Sequence, residues 1–134
     1  MKTNFLITDN YAFTFNSKLI DIHNNYDFEG YQYEVKENQL KLFFIRRNDD
    51  WVDRKEPFKL ILNHKNIKEY IIENESEEFD RSVVEVTFFP SYEKFDDSLM
   101  VRIEPEENDD IIYIFESDQI LRIVCKEVIL ETQT

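Results

Sequence analysis

Val84-Glu85-Val86-Thr87-Phe88 is the stretch on which the fold turns. Val84, Val86 and Phe88 alternate with Glu85 and Thr87, a period of two that sets the apolar side chains on one face of an extended strand. Outward from it the same pattern recurs in short pieces. Residues 39–45 alternate Leu40, Leu42 and Phe44 with Lys41, Phe43 and Ile45, so both faces are expected to be at least partly buried. Further strands are expected at 11–15, 31–35, 58–62, 99–103, 111–115, 120–125 and 128–130. Lys36-Glu37-Asn38 and Ser117-Asp118-Gln119 are the expected hairpin turns, although neither contains glycine. Residues 65–73 suit a helix or a strand equally, and 18–23 are ambiguous in the same way.

The chain of 134 residues has one Gly (Gly30) and three Pro, so the usual turn residues are scarce. Asn and Asp tolerate left-handed backbone and cap their own chain, and they cluster at Asn24-Asn25, Asn48-Asp49-Asp50, Asp96-Asp97-Ser98 and Asn108-Asp109-Asp110. The expected architecture is a mainly β single domain spanning 1–134: an antiparallel sandwich or strongly bent sheet of about 8–10 short strands with at most one short helix. Hydrophobic residues make up 42% of the chain, and aromatics 15%, enough apolar surface for a core. No apolar run approaches the length of a membrane span. The single cysteine, Cys125, excludes an internal disulfide and fits a reducing compartment, so a cytoplasmic location is expected.

Net charge is −13, and it is concentrated. Residues 1–72 carry 11 acidic and 11 basic side chains, and residues 120–134 carry two of each. Residues 73–119 carry 16 acidic and three basic side chains, so that one stretch holds the whole excess. A solvated acidic surface aids solubility, but solubility alone does not require segregation. Convergence of these turns at one end of a sandwich would create a field that steers a basic partner. Direct nucleic-acid binding is disfavoured, because phosphate neutralisation needs clustered Lys and Arg. The one dense basic stretch, Arg46-Arg47 with Arg54-Lys55, is interleaved with Asp49, Asp50 and Asp53. That loop also presents Trp51, the only Trp, as either a contact residue or a cap on the core.

Catalytic material is sparse. One glycine excludes phosphate-cradling loops and a Gly-x-Ser-x-Gly elbow. Cys125 with His23 or His64 is the only Cys–His pairing, and Cys125 follows Ile123 and Val124 in a strand, where a free cysteine behaves as a small buried hydrophobe. Asp21, His23 and His64 could hold a metal, but they lack a fixed-spacing motif, and 104–110 lacks the spacing and glycine of an EF-hand loop. No enzyme activity, cofactor or metal is expected.

Ile20-Asp21-Ile22-His23, Leu40-Lys41-Leu42-Phe43-Phe44, Phe58-Lys59-Leu60-Ile61-Leu62 leading to Asn66-Ile67, and the closing Ile111-Ile112-Tyr113-Ile114-Phe115 and Leu121-Arg122-Ile123-Val124-Cys125 give an order of features that resembles small β-rich bacterial immunity proteins of polymorphic toxin systems. His23 is followed here by Asn24 where those sequences have Asp. The resemblance implies a cytoplasmic inhibitor that binds a cognate toxin and blocks its active site.

The expected function is therefore a non-enzymatic acidic binding protein that neutralises a basic protein partner, an immunity protein against a bacterial toxin being the case the resemblance suggests. The alternatives are a structural or oligomer-forming β domain and a metal-binding protein using Asp21, His23 and His64. The expected partner-binding residues are Trp51, Glu75, Glu77, Glu78, Asp80, Tyr92, Asp96, Asp97, Glu106, Glu107, Asp109 and Asp110.

Overall fold

The computed structural model describes residues 1–74, 78, 80–91, 93–96 and 102–134. In chain order its elements are β1 (Lys2–Thr3), β2 (Leu6–Thr8), β3 (Ala12–Phe15), β4 (Lys18–Asp21), α1 (Ile22–Asn25), β5 (Tyr26–Glu34), β6 (Gln39–Arg46), β7 (Lys59–Lys65), β8 (Glu69–Glu73), β9 (Val83–Pro90), β10 (Asp109–Phe115), β11 (Ile120–Val124) and β12 (Glu127–Gln133). They form three sheets, ordered β1-β12-β7-β6-β5, β8-β11-β10-β9 and β2-β3-β4. All pairings are antiparallel except β1 with β12. The fold is mainly β, as expected, and the one helix is a single turn of four residues. Twelve strands are described rather than 8–10, because β1, β2 and β4 are too short to show a period and the ambiguous 65–73 resolves as β8. The expected strand over 99–103 falls mostly outside the described residues; Arg102 and Ile103 are not in a strand.

One core cluster draws on all three sheets. Leu40, Leu42, Phe44, Leu60, Leu62, Val128 and Leu130 come from the first, Val86, Phe88, Ile111, Tyr113, Phe115, Leu121 and Ile123 from the second, and Ile7, Phe13 and Ile20 from the third. Val86 and Phe88 share a face as expected, fully buried against Tyr113 and Ile111, their partners on β10. Thr87 is fully buried too and Val84 only half-buried, so the polar positions do not mark a solvated face. Phe5, between β1 and β2, stacks on Phe88 and meets Phe13 edge-on, which fastens the small sheet to the second.

Gly30 sets the shape of β5. The register against β6 shifts between Phe28 and Gly30, leaving one extra residue in β5, and Gly30 sits at φ +131°, where side chains are strained. Before this bulge the even residues Tyr26 and Phe28 face the core; after it the odd residues Tyr31 and Tyr33 stand opposite Leu42 and Leu40. The two tyrosines thereby reach the edge of the other sheet, with ring centroids 6.3 and 5.8 Å from Tyr70 on β8. The first half of β5 lies instead at β9 and β10: the Phe28 N–H donates to the Arg81 carbonyl at 2.7 Å, and its ring meets Phe115. β5 therefore runs across the second sheet from one edge to the other, the crossed arrangement of two packed sheets.

Asn and Asp do supply most of the left-handed turn residues, but largely at other positions than their clusters suggested. Positive φ occurs at Asp9, Asn10, Asn16, Ser17, Asn38, Asn66, Asn74 and Asp118. Asn16-Ser17 makes a two-residue hairpin with both central φ positive, and both expected turns, at 36–38 and 117–119, connect paired strands. Asn24-Asn25 lies instead in α1, and Asp109-Asp110 opens β10.

The Cβ of an alanine at position 30 would meet nothing within 4 Å, so its cost is backbone strain alone. Gly30→Ala is expected to lower stability by about 1–3 kcal/mol, read as a lower urea midpoint at unchanged denaturant slope. An unchanged midpoint would show that the bulge does not hold the position in that conformation.

Candidate binding surface

β9 and β10, with the last residue of β8 and the connections between them, make up residues 73–119, so the whole excess of acidic side chains belongs to the second sheet and its loops. The loops do not converge at one end. Glu104, Glu106 and Glu107 are exposed before β10 starts at Asp109, whereas Glu73, Glu78, Glu116 and Asp118 are exposed around its far end. A seven-residue strand separates the two groups by about 20 Å.

Each end is built from local hydrogen bonds. At the far end, Asn74 and Asp80 are sewn to the β10–β11 turn: Asn74 Nδ2 donates to the Asp118 carbonyl at 2.9 Å, the Asp80 N–H to Gln119 Oε1 at 2.8 Å, and the Ser117 N–H to Asp80 Oδ2 at 2.7 Å. Burial acts to raise the pKa of the Asp80 carboxyl, but amide hydrogen bonds from Ser82, Ser117 and Arg81, with that of the Ser117 hydroxyl, outweigh it and hold it below the usual value. Asp80 thus works as the staple of this end. At the near end, the N-terminal amine donates to the Glu107 carbonyl at 2.8 Å, and the Ile7 N–H to the Ile103 carbonyl at 3.0 Å, tying 103–107 to the small sheet and the chain start.

Two expected contact residues are buried instead. Asp109 and Asp110, in a run of turn-forming residues, are 4% and 0% exposed. Asp109 pairs with Arg102 and accepts the Glu106 N–H at 2.8 Å. Asp110 Oδ2 accepts from Arg122 Nε at 2.7 Å, Arg122 also donates to the carbonyls of Pro90 and Ser91, and its guanidinium lies 5.7 Å from the Phe89 ring. A buried carboxylate requires a partner, and the arginines supply it. These two acids hold the sheet and are unavailable to a partner.

Glu78, Asp96, Glu106 and Glu107 are exposed. Glu75, Glu77, Tyr92 and Asp97 lie outside the described residues. Trp51 is 65% exposed: its ring stacks on the Arg47 guanidinium at 5.4 Å, and its Nε1–H donates to the Asn24 carbonyl at 3.3 Å. Val52 fills the core-capping position beside it. Trp51 belongs to the loop before β7, on the electrically balanced part of the chain and apart from the acidic loops in sequence. The apolar side chain that does stand among the acids is Ile103, 57% exposed next to Glu104, and Ile71 is 42% exposed on the outer face of β8 opposite Arg122. Sequence reasoning missed both, since each fits a buried strand position.

The metal candidates do not meet. Asp21 caps α1, accepting the Asn24 N–H at 2.9 Å and its side-chain amide at 2.8 Å. His23 Nδ1 lies 3.2 Å from the Val83 carbonyl. His64 is fully buried, with both ring nitrogens engaged by the Leu40 carbonyl and the Tyr113 hydroxyl. Among the described residues no three His, Cys, Asp or Glu side chains gather as a metal would need. Cys125 is buried, and burial pushes its thiol up to about 12, away from the thiolate that nucleophilic or metal chemistry uses. No helix among the described residues is long and apolar enough to cross a membrane.

Comparison with protein-family models, with curated proteins and with solved structures finds no match for this chain.

Arg122→Met is expected to destabilise by about 3–5 kcal/mol, because it leaves the Asp110 charge buried without its partner. Adding Asp110→Leu to it should recover most of that loss, a coupling visible in urea midpoints of the single and double variants. Additive losses would show that the two side chains do not act as a pair.

Proposed function

We propose that this protein is a non-enzymatic acidic binder that neutralises a basic protein partner through the second sheet and its two acidic ends, and that the partner is a bacterial toxin. The observation that carries the reading is the confinement of the excess charge to the chain that builds β9, β10 and their connections. Of the three bases in that stretch, Lys94 is exposed and the other two are paired. Arg102 is spent on Asp109, and Arg81 reaches across to Asp27 and Glu29 of β5 at 3.7 and 3.0 Å.

Two ends about 20 Å apart lie beyond the screening length of about 8 Å at physiological salt, so each attracts a cation independently. A standard interface of about 800 Å² per partner is roughly 30 Å across, wide enough to engage both. Charge steers and orients such an encounter, while an apolar centre supplies residence time. Ile103 is the exposed apolar side chain placed to give that centre at the near end. Blocking the basic cleft of a nucleic-acid-acting toxin is the inhibition this chemistry suits.

The test is capture from a native bacterial lysate at low and high salt, with the wild type beside two charge-reversed variants, Glu104→Lys/Glu106→Lys/Glu107→Lys and Glu73→Lys/Glu78→Lys/Glu116→Lys. All six positions are exposed, so melting should be unchanged. The expected result is a discrete basic protein held by the wild type, weakened at least tenfold by either variant and by high salt, whose own activity is suppressed in the complex. Capture confined to acidic proteins or chaperones, indifferent to salt and to charge reversal, would sink the reading.

A further inference from the structure

We propose that the His64–Tyr113 hydrogen bond is an acid-sensitive latch between the two large sheets, which a neutral imidazole keeps closed and protonation of His64 opens. His64 lies on β7 and is wholly buried. Its Nδ1 is 2.9 Å from the Leu40 carbonyl, an atom that can only accept, so Nδ1 carries the ring proton. Nε2 is then the acceptor, and the Tyr113 hydroxyl, 2.8 Å away on β10, is the donor. One side chain thus joins β6 and β7 of the first sheet to the centre of the second.

Burial outweighs the Leu40 and Leu62 carbonyls, which favour a cation on the ring, and no carboxylate among the described residues faces it. Its register partners are Leu40 on β6 and Val128 on β12, both apolar and fully buried. From β10 it meets Tyr113, whose hydroxyl burial holds well above its ordinary pKa, so that no phenolate forms near neutrality. Cys125, at the end of β11, acts on Tyr113 and is itself uncharged; Asp110, which acts on Cys125, is committed to Arg122. Protonation would also leave both ring nitrogens as donors, so the Tyr113 proton would lose its acceptor.

The latch lies at a rim. Leu40 and His64 are each one residue from the end of their strand, and Val128 is one from the start of β12. A cavity of about 440 Å³, lined by Lys2, Lys68, Asp110, Val124, Cys125 and Lys126 among others, borders Cys125 near this end of the sandwich. Burial lowers the His64 pKa to about 4, from 6.5 for a free imidazole. The open form therefore binds more protons than the closed form between those values. Closure is fully favoured above 6.5 and lost progressively as pH falls towards 4, so opening should rise about 20-fold from pH 7 to pH 5. The first sheet would part from the second here while the β2-β3-β4 sheet stays in place.

Cys125, 8% exposed and the chain's single cysteine, reports the opening. The measurement is its rate of reaction with 4,4′-dithiodipyridine, divided at each pH by the rate for the urea-unfolded chain, which removes the thiol's own titration. The expected ratio rises about 20-fold from pH 7 to pH 5, is flat in His64→Gln, and is already raised at pH 7 in Tyr113→Phe. Should His64→Gln fail to fold, the wild type suffices: its His64 ring-proton resonance should hold the neutral position through pH 6 and move only as Cys125 becomes reactive, while β3 and β4 amides stay protected. A flat ratio in the wild type, an equal rise in His64→Gln, a His64 midpoint near 6.5 without Cys125 reactivity, or loss of protection in all three sheets together would overturn the latch.

Discussion

β10 is buried on both of its faces, and much of the molecule follows from that constraint. Its inner face gives Ile111, Tyr113 and Phe115 to the core; its outer face carries Ile112 and Asp110, both fully buried. A strand with no solvated face cannot display charge along its length. Any acid within it must be compensated, as Arg102 and Arg122 do for Asp109 and Asp110. The acidic side chains of the flanking chain are then displayed where β10 ends, so the two acidic groups mark the two ends of one buried strand.

The strand pattern was legible because period-two alternation is a local property of the chain. It read correctly for β6, β9 and the β10–β11 hairpin, where neighbouring strands confirm each other's faces. It could not show the parity switch in β5, because Tyr31 and Tyr33, themselves partly exposed, come to stand opposite Leu42 and Leu40 only after one residue is inserted. A signal was nonetheless present: the sole glycine of the chain stands inside a strand pattern, which is the mark of a bulge. The third sheet was hidden for a different reason. Strands of two to four residues are too short to carry a period, and what fastens them is long-range, Phe5 on Phe88 and Ile7 on the Ile103 carbonyl.

At the surface, the location of the charge along the chain was legible without a fold, since counting needs none. Its division into two ends was not, because that depends on which turns share an end of the sheet. Asn108-Asp109-Asp110 shows why composition misleads here. Three turn-forming residues in a row read as a solvated loop, yet Asp109 and Asp110 enter a central strand because Arg102, seven residues earlier, and Arg122, on the neighbouring strand of the β10–β11 hairpin, pair with them. Side-chain pairing of this kind, which residue type alone does not display, turns an acidic turn into a buried one. Trp51 was undecided for the same reason, and Val52 settles it by taking the buried place beside it.

Solubility and recognition both call for acidic surface, but they make opposite demands on the arginines. A surface tuned for solubility alone gains from interspersed signs, with each base left near the acids that surround it in sequence. Here Arg81 leaves its acidic segment for Asp27 and Glu29 on the other sheet, and Arg102 turns inward to Asp109. Lys94, the remaining base of residues 73–119, is exposed and forms no ion pair among the described residues. Exposed ion pairs contribute little to stability, so the pairing of Arg81 with the β5 acids beside it has small value as a fastening. Its larger effect is on the field, because its charge offsets Asp27 and Glu29 of β5. That pairing preserves the excess of acid already present in residues 73–119, the charge asymmetry on which the proposed reading rests.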